Sequence, residues 1–264
     1  MRVRVGAGTG VEWLVSAMAV ADADWRPVFT HGQESYDAAL AAGGKALVRD
    51  AARVGRVGWA RLLGPLTRVR GAWSVDALRD VLTALDATDA LRVLDGLPAP
   101  ATRPPGLSRI RARLAEVGPE QVVAEVAPGI HYGPGVLEDV VLVTSVRVAP
   151  IIVEHPDGDR TVIVHPPLGE DGATDAGARL RDVGRALGDA TRMQLLQQLK
   201  GRPRSLPELC EAMDSPRTTL LHHLALLRGA GLIDLEVTAG EPNVYSLRQA
   251  GFDDLGRAAR AFLL

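Results

Sequence analysis

The sequence predicts an α+β protein that is mostly helical, with a helical N-terminal domain and a C-terminal winged helix-turn-helix. Apolar residues recur at helical spacing through most of the chain, which indicates amphipathic helices. The stretch 138–166 is instead rich in Val and Ile, which predicts a small antiparallel β element. The last third has the order helix, helix, turn, helix, hairpin. We therefore expect residues 1–170 to form a mostly helical regulatory or dimerisation domain and residues 175–264 to form a DNA-binding domain.

The N-terminal end is predicted as a short strand over Met1–Val5 followed by a helix over Val11–Ala21. Three glycines separate these elements at alternate positions: Gly6, Gly8 and Gly10. This spacing is close to that of a dinucleotide-binding loop, but Val11 stands where the fingerprint needs its last glycine. A plain strand-to-helix turn is the better interpretation, and we expect no cofactor.

Helices are predicted over most of the region that follows. Residues 34–70 are rich in Ala, Leu and Arg, and Ser74 and Thr88 are suitable N-cap residues for the next two helices. Two more short helices are predicted over Ser108–Val117 and Pro119–Val126. In the β-rich stretch beyond them, Asp157-Gly158 is a dipeptide favoured in two-residue hairpin turns. A turn centred on it would place His155 opposite Arg160.

All four tryptophans of the chain fall within its first 73 residues: Trp13, Trp25, Trp59 and Trp73. Aromatic side chains dominate many small-molecule pockets, so these four are candidate ligand-binding residues for an effector. Packing of a hydrophobic core is the alternative, because tryptophan is highly buried on average. The sequence leaves both interpretations open.

The C-terminal region has the local signals of two helices joined by a tight turn. Ser205 and Glu208 have the spacing of a capping box, which predicts a first helix from about Leu206 to Met213. Ser215 is the predicted N-cap of the second helix, with Pro216 as its first residue. Apolar residues at positions i, i+4 and i+7 predict the buried face of this second helix: Leu220, Leu224 and Leu227.

The opposite face of the second helix suits contact with DNA. Arginine can donate two hydrogen bonds to guanine, and threonine or histidine can contact bases or phosphates. Basic residues also cluster just before the first helix, where phosphates would lie. The candidate DNA-binding residues are Arg217, Thr218, Thr219, Leu221, His222, Lys200, Arg202 and Arg204. The predicted wing that follows carries Glu236 and Glu241 and no Lys or Arg before Arg248, so we expect it to bind phosphate weakly.

Several short motifs in this region occur in an order that resembles the ArsR/SmtB family of bacterial repressors. They are Leu187-Gly188-Asp189-Ala190-Thr191-Arg192, the Glu208-Leu209 helix, His222-His223-Leu224 and the wing start Gly231-Leu232-Ile233. The resemblance implies a homodimer that binds palindromic operator DNA through Pro216–Arg228 and is released by an effector. It also implies dimer contacts through Arg179–Leu187 and Phe252–Leu264.

Metal sensing is common among ArsR-like proteins, and the sequence argues against it here. The best-known site of the family uses a cysteine pair at the start of the first motif helix. Ser205 and Pro207 stand at those positions, and neither offers a soft ligand. The single cysteine, Cys210, lies further along the helix. We therefore expect no metal.

Composition limits the possible functions. A net charge of −2 means that any DNA contact is a local basic patch. One cysteine cannot form an intramolecular disulfide, and no run of about 18 apolar residues predicts a membrane span, so we expect a cytoplasmic protein. No acid pair, Ser-His-Asp set or phosphate loop predicts an enzyme. The prediction is thus a transcriptional regulator; a winged-helix protein-interaction module and an enzyme fused to a DNA-binding domain remain alternatives.

Overall fold

The computed structural model describes residues 1–29, 31–100, 107–168 and 176–263 and divides the chain into two compact units. The N-terminal unit comprises Met1–Val122 and Glu138–Pro167, and the C-terminal unit comprises Val123–Leu137 and Leu168–Leu264. The predicted boundary at 170–175 lies outside the described residues. The segment Val123–Leu137 is predicted in the N-terminal domain but belongs to the C-terminal unit. The chain therefore passes between the two units more than once, and no single boundary separates them.

Helices account for most of the described residues. Their bounds are α1 (Thr9–Ala21), α2 (Gly32–Arg61), α3 (Leu63–Arg68), α4 (Val75–Ala84), α5 (Thr88–Gly96), α6 (Ser108–Val117), α7 (Pro119–Val126), α8 (Ala176–Leu187), α9 (Ala190–Gln198), α10 (Leu206–Met213), α11 (Arg217–Gly229) and α12 (Gln249–Leu263). The strands are β1 (Arg2–Gly6), β2 (Ile130–Tyr132), β3 (Asp139–Thr144), β4 (Val153–Asp157), β5 (Arg160–His165), β6 (Arg204–Ser205), β7 (Ile233–Val237) and β8 (Val244–Leu247). No helix in the described ranges is both long enough and apolar enough to cross a membrane.

The sheet of the N-terminal unit has the order β1-β3-β5-β4. β1 and β5 both pair in parallel with β3, and only β4 is antiparallel to its neighbour. The expected small antiparallel element is therefore one hairpin of a larger, mainly parallel sheet. β3 and β5 are buried along almost their whole length, which explains their continuous apolar runs. The pairing of β1 with β3 joins segments far apart in sequence, so no local pattern could indicate it.

The hairpin register also differs from the prediction. Asp157 remains in β4 opposite Arg160, and the turn residues are Gly158 and Asp159. Gly158 has φ 67°, the positive value that the first central residue of a type II′ turn requires. The Asp157 carboxylate binds Arg160 at 2.6 Å and Arg68 at 2.9 Å. This ion-pair cluster holds Asp157 at the strand end, and His155 consequently pairs with Val162.

The three N-terminal glycines have a packing role. A Cβ atom added to Gly6 would lie 2.0 Å from the Trp73 ring, and one added to Gly8 would lie 2.0 Å from the Trp73 carbonyl oxygen. The amide of Gly10 donates to the same carbonyl at 3.0 Å. Only glycine permits so close an approach. The space beside the three glycines is therefore occupied by Trp73 and Ser74 of the same chain, as in a plain strand-to-helix turn.

Predicted helix starts in this unit were largely correct. The Ser74 hydroxyl accepts a hydrogen bond from the amide of Ala77 and caps α4 as expected, and the bounds of α6 and α7 match the prediction. Thr88 is already the first residue of α5, with Ala87 as its N-cap. The long helix α2 has non-helical dihedral angles at Gly44 and Gly55, which interrupt it.

The C-terminal unit has the order of elements of a winged helix. Its sheet has the order β2-β7-β8-β6, in which β7 and β8 form the antiparallel wing. The predicted first motif helix is confirmed with the bounds Leu206–Met213. The second begins one residue later than predicted: Pro216 is the N-cap and Ser215 lies outside α11. Proline offers no side-chain cap, so packing rather than capping fixes this start.

Candidate DNA-binding site

The start of α10 is fixed by a complete capping box. The Ser205 hydroxyl accepts from the Glu208 amide at 3.5 Å, and the Ser205 amide donates to a Glu208 carboxylate oxygen at 2.7 Å. This backbone donor, with Arg202 beside it, lowers the pKa of Glu208 to about 2. Glu208 therefore stays ionised at neutral pH. α10 ends at Met213, and its C-cap Asp214, with φ 45°, turns the chain sharply towards α11.

The two faces of α11 are as the apolar spacing predicts. Leu220, Leu224 and Leu227 are buried. At the other side, Arg217 and Thr218 are exposed in the first turn. The remaining predicted contact residues are half-buried: Thr219, Leu221 and His222. The best-exposed part of the predicted surface is thus the N-terminal turn of α11, the part of such a helix that contacts base edges in helix-turn-helix proteins.

A buried arginine, Arg192, holds α11 in place; in the sequence it is the last residue of the motif Leu187-Gly188-Asp189-Ala190-Thr191-Arg192, and no local pattern indicates this role. Arg192 is 8% exposed and donates to the carbonyl oxygens of Ala186 and Arg185 at the end of α8, both at 2.6 Å. Its Nη1 lies 3.4 Å from Nδ1 of His223 in α11. Burial lowers the pKa of His223, so the ring is neutral and can accept this hydrogen bond. Arg192 thereby joins α8, α9 and α11.

The three residues of the predicted basic cluster, Lys200, Arg202 and Arg204, differ in their exposure and in their contacts within the chain. Arg202 is exposed but forms an ion pair with Glu208 at 2.8 Å. Arg204 is half-buried, and its Nε donates to the Gln198 carbonyl at the end of α9 at 2.6 Å. Lys200 is exposed. To contact phosphate, Arg202 would exchange one anionic partner for another, whereas Arg204 already contributes to the fold.

Comparison with known proteins agrees with this geometry. Residues 187–236, which include α9, α10, α11 and most of β7, match the family described as "Helix-turn-helix domain". This part of the chain is a helix-turn-helix domain. Its elements have the order of a winged helix-turn-helix, with β7 and β8 as the wing, which is the form that the motifs predict.

Two solved structures are each similar to about a third of this chain. An ArsR-like transcriptional regulator from Rhodococcus sp. RHA1 is 27% identical, with 33% of this chain and 80% of that chain covered and a TM-score of 0.30. HlyU from Vibrio cholerae N16961 is 22% identical, with 34% and 99% covered and a TM-score of 0.28. No curated protein matches the chain significantly. The similarity thus concerns about a third of the chain.

The wing of the helix-turn-helix domain is acidic. Glu236 and Glu241 are exposed. Asp234 lies 3.4 Å from His131 and 3.9 Å from Arg248. Phosphates would be repelled by such a surface, so weak phosphate binding by the wing stays our prediction.

Outside the helix-turn-helix domain, the tryptophans pack the core of the N-terminal unit. Trp13 and Trp59 are fully buried in an edge-to-face pair with ring centroids 5.4 Å apart. Their indole N–H groups donate to the carbonyls of Leu97 and Ala51. Trp25 stacks on the Arg56 guanidinium, and Trp73 covers the glycine loop. All four side chains are buried within this unit, and their role in ligand binding stays a prediction.

An open cleft of about 450 Å³ lies elsewhere in the N-terminal unit. It runs between α2 and the start of α5, and none of the four tryptophans lines it; its residues are Val54, Gly58, Leu62, Asp86, Ala87, Thr88, Asp89 and Ala90. Among the described residues, no group of three or more His, Cys, Asp or Glu side chains is placed to hold a metal ion.

Proposed function

We propose that this protein is a cytoplasmic homodimeric repressor that binds a palindromic operator by inserting the N-terminal turn of α11 into the DNA major groove. The supporting observation is the exposure of Arg217 and Thr218 on a helix whose other face is buried and whose position Arg192 fixes. A rigid support reduces the ordering cost of binding. In a symmetric dimer, the two α11 helices would contact major grooves about 34 Å apart on one face of the duplex.

The surface of α12 supports the homodimer. Its apolar side chains recur at helical spacing, and they are incompletely covered within one chain: Phe252, Leu255, Ala259 and Phe262. Phe262 is 57% exposed and Leu263 is 72% exposed. A second copy of the chain would remove this apolar surface from water. α8, which packs on α12, would belong to the same interface.

An effector would act on the N-terminal unit by shifting the population between DNA-binding and released states. Because all four tryptophans are in this unit, effector binding there would change tryptophan emission. A titration that follows emission and DNA release together would detect it. If no metabolite changes either signal, the N-terminal unit has a dimerisation or scaffolding role instead.

The Arg217→Ala variant tests the DNA-binding surface. A contact to guanine through two hydrogen bonds would be lost, so affinity for a selected genomic fragment should fall by about 1–3 kcal/mol, with relaxed sequence preference. Arg111→Ala removes an exposed helical arginine of the N-terminal unit and should have no effect. Fluorescence anisotropy with labelled DNA measures both. Unchanged affinity and preference in Arg217→Ala would exclude base contact by this side chain.

Lys200→Ala provides a second comparison. If Lys200 contacts phosphate, its loss should weaken specific and non-specific binding alike and reduce the salt dependence of binding by about one phosphate contact. If the wild-type protein binds no genomic fragment at all, the helix-turn-helix domain is a protein-interaction module.

A further inference from the structure

The wing of this protein contains a strand that comes from the N-terminal half of the sequence. β2 lies in parallel beside β7, with Ile130 opposite Leu235. The Leu235 amide donates to the Gly129 carbonyl at 2.7 Å, and the Gly133 amide donates to the Val237 carbonyl at 2.8 Å. β7 is therefore an inner strand of a four-stranded sheet. We call residues 127–137, which contain β2, the strap.

The strap also contacts the end of α11. Arg228, in the last turn of that helix, is buried and donates to the Pro128 carbonyl at 3.4 Å. Gly129 has φ 75°, and a Cβ atom there would lie 3.2 Å from the Ile233 carbonyl oxygen. Ile130 is buried. The strap thus binds both the DNA-contacting helix and the wing, and glycine is needed where it passes β7.

The two ends of the strap continue directly into other elements. On one side it follows α7, within which the chain leaves the N-terminal unit. On the other side, a turn closed by the Val136 amide and the Gly133 carbonyl leads to β3. This turn has proline at its second position and Gly135, with φ 74°, at its third, the pattern of a type II turn. β3 is the inner strand to which β1 and β5 both pair.

We propose that the strap is an intramolecular regulatory element that couples the order of the N-terminal sheet to the DNA affinity of α11 and the wing. The proposal rests on the proposed function as a DNA-binding regulator. With β2 paired, β7 has both neighbours and Arg228 holds the end of α11, so the DNA-contacting surface is preorganised. With β2 detached, β7 becomes an edge strand and α11 loses a contact. A disturbance of β3 therefore reaches the wing through the strap, and DNA binding affects β3 in return.

Gly133→Pro and Gly133→Ala form a matched pair for the test. Proline removes the N–H donor that binds Val237, whereas an added Cβ would lie 3.4 Å from that carbonyl oxygen, an ordinary contact. Gly133→Pro should speed hydrogen exchange in β7 and weaken operator binding about tenfold, and Gly133→Ala should do neither. Faster exchange in β7 with unchanged affinity would overturn the proposal, and so would unchanged exchange.

A cleavable strap tests the covalent path without disturbing β2. A protease site inserted between Pro134 and Gly135, which are exposed, allows the folded protein to be cut. Val141→Ala, a truncation of a buried side chain in β3, should speed exchange in β7 before cleavage and not after it. An equal effect before and after cleavage would overturn the proposal. This measurement needs no DNA, so it remains decisive even if the proposed function fails because the wild-type protein binds no operator.

Discussion

At the scale of single residues, His165 is the buried titratable group with the clearest consequence. It lies at the end of β5, fully buried, with Nδ1 2.6 Å from the Pro166 carbonyl oxygen and Nε2 3.3 Å from the Thr144 hydroxyl. The neutral ring can donate from Nδ1 and accept at Nε2, which satisfies both contacts. Burial lowers the pKa of His165 to about 4. The folded N-terminal unit therefore favours the neutral histidine.

This pKa predicts a loss of stability in mild acid. A histidine whose pKa is lower in the folded than in the unfolded state stabilises the fold above about pH 6.5, and this contribution disappears as the pH falls towards 4. A difference of this size amounts to about 3 kcal/mol of unfolding free energy. His165→Gln keeps a donor and an acceptor but does not titrate, so urea unfolding followed by tryptophan emission should depend less on pH.

The comparison of the wild-type protein with His165→Gln separates the effect of His165 from that of Glu12, whose contribution to stability changes with pH in the opposite direction. Burial raises the pKa of Glu12, although Ser145 donates a hydrogen bond to it. Its contribution to stability is therefore present at low pH and is lost as the pH rises through the raised pKa. Because Glu12 is unchanged in both proteins, its effect cancels in the difference. Identical pH profiles of the two proteins would contradict the role assigned to His165.

At the scale of elements, the start of a helix is fixed in two different ways within one motif. α10 begins with a capping box, in which the Ser205 side chain and that of Glu208 satisfy each other's backbone amides. α11 begins after Pro216, without a side-chain cap, and relies on its buried leucine face and on the contact of His223 with Arg192.

Two serine-to-alanine substitutions distinguish these helix starts. Ser205→Ala removes a cap and should reduce the free energy of unfolding by about 1 kcal/mol. Ser215→Ala, one residue before the N-cap of α11, should change it by less than about 0.5 kcal/mol. Urea unfolding followed by far-ultraviolet circular dichroism gives both values. Equal losses would mean that Ser215 contributes to capping in solution.

At the scale of the whole molecule, the chain has two compact units, and tryptophan occurs in only one of them. Trp emission therefore reports on the N-terminal unit, whereas circular dichroism reports on helices in both. Proteins with more than one domain need not unfold in a single transition.

We expect Ser205→Ala to lower the midpoint of the circular dichroism transition and to leave the midpoint of the tryptophan transition unchanged. The substitution lies in the C-terminal unit, so only that unit loses stability. The matched control is the wild-type protein measured with both signals in the same samples. If both midpoints fall together, the two units unfold as one cooperative block.

The sequence by itself determined the features that depend on residues a few positions apart. The capping box predicted α10 with its observed bounds, and the spacing of Leu220, Leu224 and Leu227 predicted the buried face of α11. The order of these elements was sufficient to indicate a winged helix-turn-helix. Hydrogen bonds within a turn or a cap involve only neighbouring residues, so they can be predicted from a short stretch.

Only the tertiary structure decided the features that depend on distant partners. Examples are the pairing of β1 with β3, the addition of β2 to the wing beside β7, and the contact of Arg228 with Pro128. Even the hairpin turn lies one residue later than the Asp157-Gly158 dipeptide predicts, because Asp157 stays in β4, where it forms an ion pair with the distant Arg68. The physical reason is that strand pairing and buried charges are selected by the packing of the complete chain, whereas a local pattern leaves many partners possible.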